Sequence, residues 1–107
     1  MARALIHMPA SAKAGDIIEI RALIAHPMET GFRPGSDGKP APRDIIRRFT
    51  CEYAGKQVIT AELHPAMSAN PYLAFFVRAT ATGKLTFTWQ GDNGFAQAEE
   101  RELKVTS

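Results

Sequence analysis

The chain has 107 residues, 45% of them hydrophobic and 22% charged, with a formal net charge of +2. That length is one domain, residues 1–107, able to bury roughly 60–70% of the surface its unfolded form exposes, and the composition excludes wholesale disorder. Acids and bases are interspersed. The one basic concentration, Arg43, Arg47 and Arg48, lacks the basic stripe, stacking aromatics or recognition helix of a nucleic-acid footprint, so no nucleic-acid partner is expected.

Cys51 is the single cysteine, which rules out an intramolecular disulfide and any CxxC zinc site. The start, "MARALIHMPASAKAG", carries one arginine and no sustained apolar stretch, so it does not read as a signal peptide. No run reaches transmembrane length, and no membrane partner is expected. Taken by itself, the chain reads as cytoplasmic.

The first clear element is "DIIEIRALIA" (16–25), which sets Ile18, Ile20, Ala22 and Ile24 on one face and Glu19 and Arg21 on the other. After it comes "AHPMETGFRPGSDGKPAPRD" (25–44), with three glycines, four prolines and almost no apolar periodicity. Loops of this length are uncommon in small domains and are usually functional or disordered. "RRFTCEYAG" (47–55) then alternates Phe49, Cys51 and Tyr53 against Arg48, Thr50 and Glu52. Ala54-Gly55 is a turn leading into "KQVITAEL". In "NPYLAFFVRATA" (70–81) the inward set is Leu73, Phe75, Val77 and Ala79, which leaves Tyr72 and Phe76 outward. Thr82-Gly83 reads as a second hairpin link, into "KLTFTWQG" (84–91) with Leu85, Phe87 and Trp89 inward. "GDNG" (91–94) is a third, before a final strand in "FAQAEERELKV".

Period-two alternation marks sheets with one buried face, and short Gly- or Asn-containing links mark hairpins. Some seven strands in about a hundred residues predict an all-β, immunoglobulin-like antiparallel β-sandwich. Two aromatics on an outer face suggest a patch. Either the chain's own loop or tail covers them, or they meet another subunit, where aromatics are enriched.

Candidate chemistry is sparse. His7, His26 and His64 lie on separate segments without HxH or HExxH spacing, so metal ligation is not indicated. His26 and His64 each precede a proline, which favours extended backbone and ends a ladder. Structural histidines that shape the start of a loop are the simpler reading. Cys51 shares its face with Phe49 and Tyr53 and reads as a small core hydrophobe. No GxSxG elbow or phosphate-binding glycine loop occurs, and no cofactor is expected. Prolines 27, 34, 40 and 42 stiffen the long loop, whose Arg33 and Arg43 could pair with carboxylates or an anionic ligand as forked donors.

Three segments together, "HPMETGFR", "PRDIIRRFTCEYAGKQV" and "LHPAMSANPYLAFFVRATATGKLTFTW", resemble the SoxZ family over nearly the whole chain. The resemblance implies an immunoglobulin-like, non-catalytic subunit of the SoxYZ sulfur-carrier complex of thiosulfate oxidation. Its partner SoxY would carry sulfur intermediates on the cysteine of a C-terminal Gly-Gly-Cys-Gly-Gly arm, a motif this sequence lacks. It also implies a SoxY heterodimer, transient contacts with other Sox enzymes, and a periplasmic location reached by export bound to SoxY. The residues expected to meet partners are His26, Pro27, Met28, Glu29, Thr30, Gly31 and Arg33 of the long loop, His64, Pro65 and Asn70, and the outward Tyr72 and Phe76. A docking surface left free would also favour homodimers. The alternative is a small thiosulfate- or sulfate-binding or catalytic domain using Arg33, Arg43 and His26.

Overall fold

The computed structural model describes residues 3–26, 28, 38, 43–63 and 71–107. Eight strands run through them: β1 (Ala4–His7), β2 (Ser11–Lys13), β3 (Ile17–Ile24), β4 (Ile46–Tyr53), β5 (Lys56–Glu62), β6 (Tyr72–Arg78), β7 (Gly83–Gly91) and β8 (Ala96–Thr106). They form a three-stranded sheet, β1-β3-β6, and a five-stranded sheet, β2-β8-β7-β4-β5. Pairing is antiparallel except where β2 runs parallel to β8. This is the expected all-β sandwich, with eight strands rather than seven. The two strands not assigned individually from the sequence, β1 and β2, are four and three residues long, too short for alternation to reveal.

The inward residues of the two sheets make one core. Ile18, Ile20, Ala22 and Ile24 of β3 and Phe75 and Val77 of β6 face Phe49, Cys51, Tyr53, Leu85, Phe87 and Trp89. Phe49 is the hub: its ring centroid lies 5.8 Å from that of Phe75 across the sandwich, and 5.2 Å from Trp89 and 6.3 Å from Phe87 within its own sheet. Each fully buried aromatic or aliphatic side chain contributes about 1.5–3 kcal/mol, and such aromatic pairs add about 0.5–1.5 kcal/mol beyond area.

Two of the three links read as hairpins are hairpins. Ala54 and Gly55 both have positive φ, 52° and 84°, as a tight primed turn requires. The Gly91–Gly94 link closes β7 onto β8 through a 3₁₀ turn over Asp92–Gly94. The Thr82-Gly83 link is not a hairpin, because β6 and β7 lie in different sheets. The chain arches across the sandwich there. The Tyr53 hydroxyl fastens the arch, donating to the Ala81 carbonyl and accepting from the Thr80 and Ala81 amides at 3.2 and 3.1 Å. Glycine and threonine serve a hairpin and an arch equally well; the choice is made by the partners that β6 and β7 find elsewhere.

At the opposite end, β4 carries a register irregularity between Ile46 and Arg48. Ile45 and Ile46 are both buried, and Arg47 and Arg48 are both exposed. Gly91 packs against this bulge so closely that a Cβ there would stand 2.5 Å from the Ile45 carbonyl oxygen.

Candidate partner-docking face

The outer face of the three-stranded sheet is assembled by register. Leu5 of β1 pairs with Leu23 of β3, and Leu23 pairs with Tyr72 of β6, giving one row across the sheet. His7, Arg21 and Ala74 form the next row, Glu19 and Phe76 another, and Ile17 and Arg78 the last. Five large hydrophobic residues are strongly exposed among the described residues, and four of them, Leu5, Ile17, Tyr72 and Phe76, stand on this face. Phe76 is 67% exposed and Tyr72 52%. A depression of about 370 Å³ is lined by Leu5, Ile6, His7, Arg21, Leu23 and Tyr72. The only ion pair on the face among the described residues is Arg21–Glu19, 3.0 Å and solvent-exposed, a kind that holds little energy. Single exposed apolar residues are ordinary, but several on one face mark an interaction site.

The aromatic pair was legible in the sequence; its extension was not. Leu5, Ile17 and Leu23 come from β1 and β3, and only the β1-β3-β6 order puts them beside Tyr72 and Phe76.

His26 and Met28 have a different position from the one expected of contact residues: both are buried. The Met28 amide donates to His26 Nδ1 at 3.0 Å, so that nitrogen is unprotonated and the ring proton sits on Nε2. Nε2 lies 3.8 Å from the Asp44 carboxylate, and the ring stands in a T-shaped arrangement with Phe95, their centroids 5.1 Å apart. The Met28 sulfur accepts the Ile46 amide at 3.2 Å, and Met28 holds a left-handed φ of 51°. Together they anchor the start of the long segment to the core, as a structural histidine would. Arg43 forks onto Asp92 at 2.8 and 3.0 Å, the carboxylate pairing open to it from its chemistry. That pairing, with a further hydrogen bond from the Ile45 amide, holds the Asp92 carboxyl below its usual range. Pro27, Glu29, Thr30, Gly31, Arg33, His64, Pro65 and Asn70 lie outside the described residues.

Cys51 is fully buried. Burial, and secondarily the Glu52 carboxylate, push its thiol up to about 12, the reverse of what a reactive thiolate needs. Among the described residues no three His, Cys, Asp or Glu side chains are grouped to hold a metal ion, and no helix is long and apolar enough to cross a membrane.

Solved structures with this architecture include a superoxide reductase (neelaredoxin) from Ignicoccus hospitalis. It is 17% identical, with a TM-score of 0.73, covering 98% of this chain and 82% of that one. The sulfur carrier protein SoxY from Chlorobium limicola f. thiosulfatophilum aligns at 19% identity and a TM-score of 0.69, covering 97% and 79%. At these identities the likeness is one of fold. No curated protein matches the chain. The family described as "Sulphur oxidation protein SoxZ" matches residues 6–102, nearly the full length and including all the segments that carry the resemblance. The chain belongs to the SoxZ family.

Proposed function

We propose that this chain is the non-carrier subunit of a SoxYZ complex, seating a SoxY-type subunit on the Leu5–Leu23–Tyr72–Phe76 face and leaving sulfur chemistry to a cysteine of that partner. The observation that carries the reading is the concentration of four of the five strongly exposed large hydrophobics among the described residues on one sheet face. Family membership supports SoxY as the occupant. The fold likeness to a SoxY supports a contact between two sandwiches, each offering a sheet. A specific dimer of this kind buries about 1,200–2,000 Å² in total.

The division of roles follows from the thiol. A cysteine that carries sulfur must be exposed and ionisable, and Cys51 is neither. The long segment containing Pro27, Glu29, Thr30, Gly31 and Arg33, with His64, Pro65 and Asn70, is proposed as the second docking element, for the carrier arm or visiting enzymes. His26 and Met28 secure its base. The complex is proposed to work in the periplasm. A thiosulfate- or sulfate-binding or catalytic domain built on His26, Arg33 and Arg43 has less support, since His26 is buried.

Co-expression with a SoxY-type subunit, followed by size-exclusion chromatography, tests the pairing. A one-to-one complex that Tyr72→Ser/Phe76→Ser disrupts is expected; a complex indifferent to that change contradicts the placement. Turnover of thiosulfate by the isolated chain contradicts the assignment of roles.

A further inference from the structure

A second feature lies on the other sheet, away from the apolar face. Gln90 of β7, Arg48 of β4 and Glu62 of β5 are register partners in one row across three neighbouring strands. The bulge between Ile46 and Arg48 turns Arg47 outward beside Arg48 instead of burying it. With Arg43, these side chains line a cleft of about 450 Å³, whose remaining described walls are Ile45, Leu63 and Gly91. Its size is that of a small-molecule site.

The charge balance is one-sided. Three guanidinium groups line the cleft against one lining carboxylate, Glu62, and Asp92 paired to Arg43, which leaves an excess of positive charge. Arg43 is held in place from behind by its two bonds to Asp92, so little of its freedom remains to be lost when it donates its other N–H groups. Arg47 makes no ion pair with another described residue. Arg48 reaches Glu62 only at 3.6 Å, and both are more than half exposed, a contact worth little in water. An incoming anion can displace Glu62 at small cost.

We infer that this cleft is a binding site for a tetrahedral oxoanion of the sulfate class. Planar guanidinium forks donate pairs of parallel hydrogen bonds to two oxygens of one anion, and the Gln90 amide adds a neutral donor. The cleft shares Arg43 with the grouping of His26, Arg33 and Arg43, but brings Arg47, Arg48 and Gln90 to it and does not include His26. It also stands apart from the partner-docking face, so failure of either assignment leaves the other intact.

The test is titration of the ¹⁵N-labelled chain with sodium sulfate, against sodium chloride at matched ionic strength. Saturable amide shifts confined to Arg47, Arg48, Leu63, Gln90 and Gly91 are expected. Arg47→Gln and Arg48→Gln should each weaken the apparent affinity about tenfold, the loss of one charged hydrogen-bonding group. Unchanged resonances from β3 and β6 confirm that each variant is folded. Shifts that track chloride, that saturate elsewhere, or that survive both substitutions overturn the inference. So does a response to an aspartate-rich peptide with none to sulfate, which would assign the arginines to a carboxylate-bearing protein surface.

Discussion

Phe76 is the residue whose replacement most sharply separates a docking face from an accidental patch. Full burial of an aromatic side chain removes about 150–250 Å² from water. Phe76 is 67% exposed, so about 100–170 Å² of it remains to be covered by a partner. At about 25 cal/mol per Å² that cover is worth about 2.5–4 kcal/mol. Association consumes part of such a gain in lost motion and imperfect desolvation. Phe76→Ser is therefore expected to cost about 2 kcal/mol, a central hot-spot value, or about thirtyfold in Kd. Tyr72 lies four residues along the same strand, far enough for the effects to add, and the double variant should lose several hundredfold, at about 4 kcal/mol. Calorimetry with a SoxY-type subunit reads the affinity, and urea unfolding of the isolated chain reads its stability. Both positions face solvent in the free chain, so stability should move by less than about 0.5 kcal/mol. An unchanged Kd refutes the reasoning. A collapse of stability with the loss of binding would show that the aromatics serve the chain's own fold instead.

Three further outcomes follow from the geometry. Gly91→Ala places a methyl group 2.5 Å from a backbone oxygen at the β4 bulge; urea unfolding should show a loss of about 1–3 kcal/mol, the usual cost of overpacking, and no loss would mean the bulge is not so tightly packed. Asp92 is held below its ordinary value of 3.8, mainly by Arg43. Its contribution to stability is therefore complete above that value and is lost as pH falls through the lowered one. Asp92→Asn should flatten the acid limb of a stability-against-pH curve and leave its shape above pH about 5 unchanged; an unchanged acid limb contradicts the pairing. Cys51 should resist iodoacetamide at pH about 8 in the folded chain and react fully in denaturant, since its thiol is buried and remains protonated there; rapid labelling of the native protein would place it outside the core.

Period-two alternation was enough to identify β3, β4 and β7, because each buries one face of a sheet and the apolar set falls on every second residue. The same rule pointed to the proposed docking face through its violation in "YLAFF". The bulge at "IIRRF", where two buried residues precede two exposed ones and break the period, was not read from the sequence, and the cleft it builds depends on Gln90 and Glu62 arriving from β7 and β5. What single strands could not show was non-local. The arch at Thr82-Gly83 has hairpin chemistry, and the neighbours of β6 and β7 decide its path. His26 and Met28 sit at the start of a segment rich in proline and glycine, which favours an exposed reading; tertiary contacts with Asp44, Ile46 and Phe95 bury them.

The central claim is that a partner subunit covers the outer face of β1, β3 and β6, and hydroxyl-radical footprinting measures that cover side chain by side chain. In the free chain Tyr72 and Phe76 should be readily oxidised, as their exposure of 52% and 67% requires. In the complex with a SoxY-type subunit their labelling should fall several-fold, with that of Leu5 and Leu23, while Val58 on β5 should be unaffected. Equal labelling of Tyr72 and Phe76 in the free and bound states, with protection appearing on the five-stranded sheet, would contradict the account.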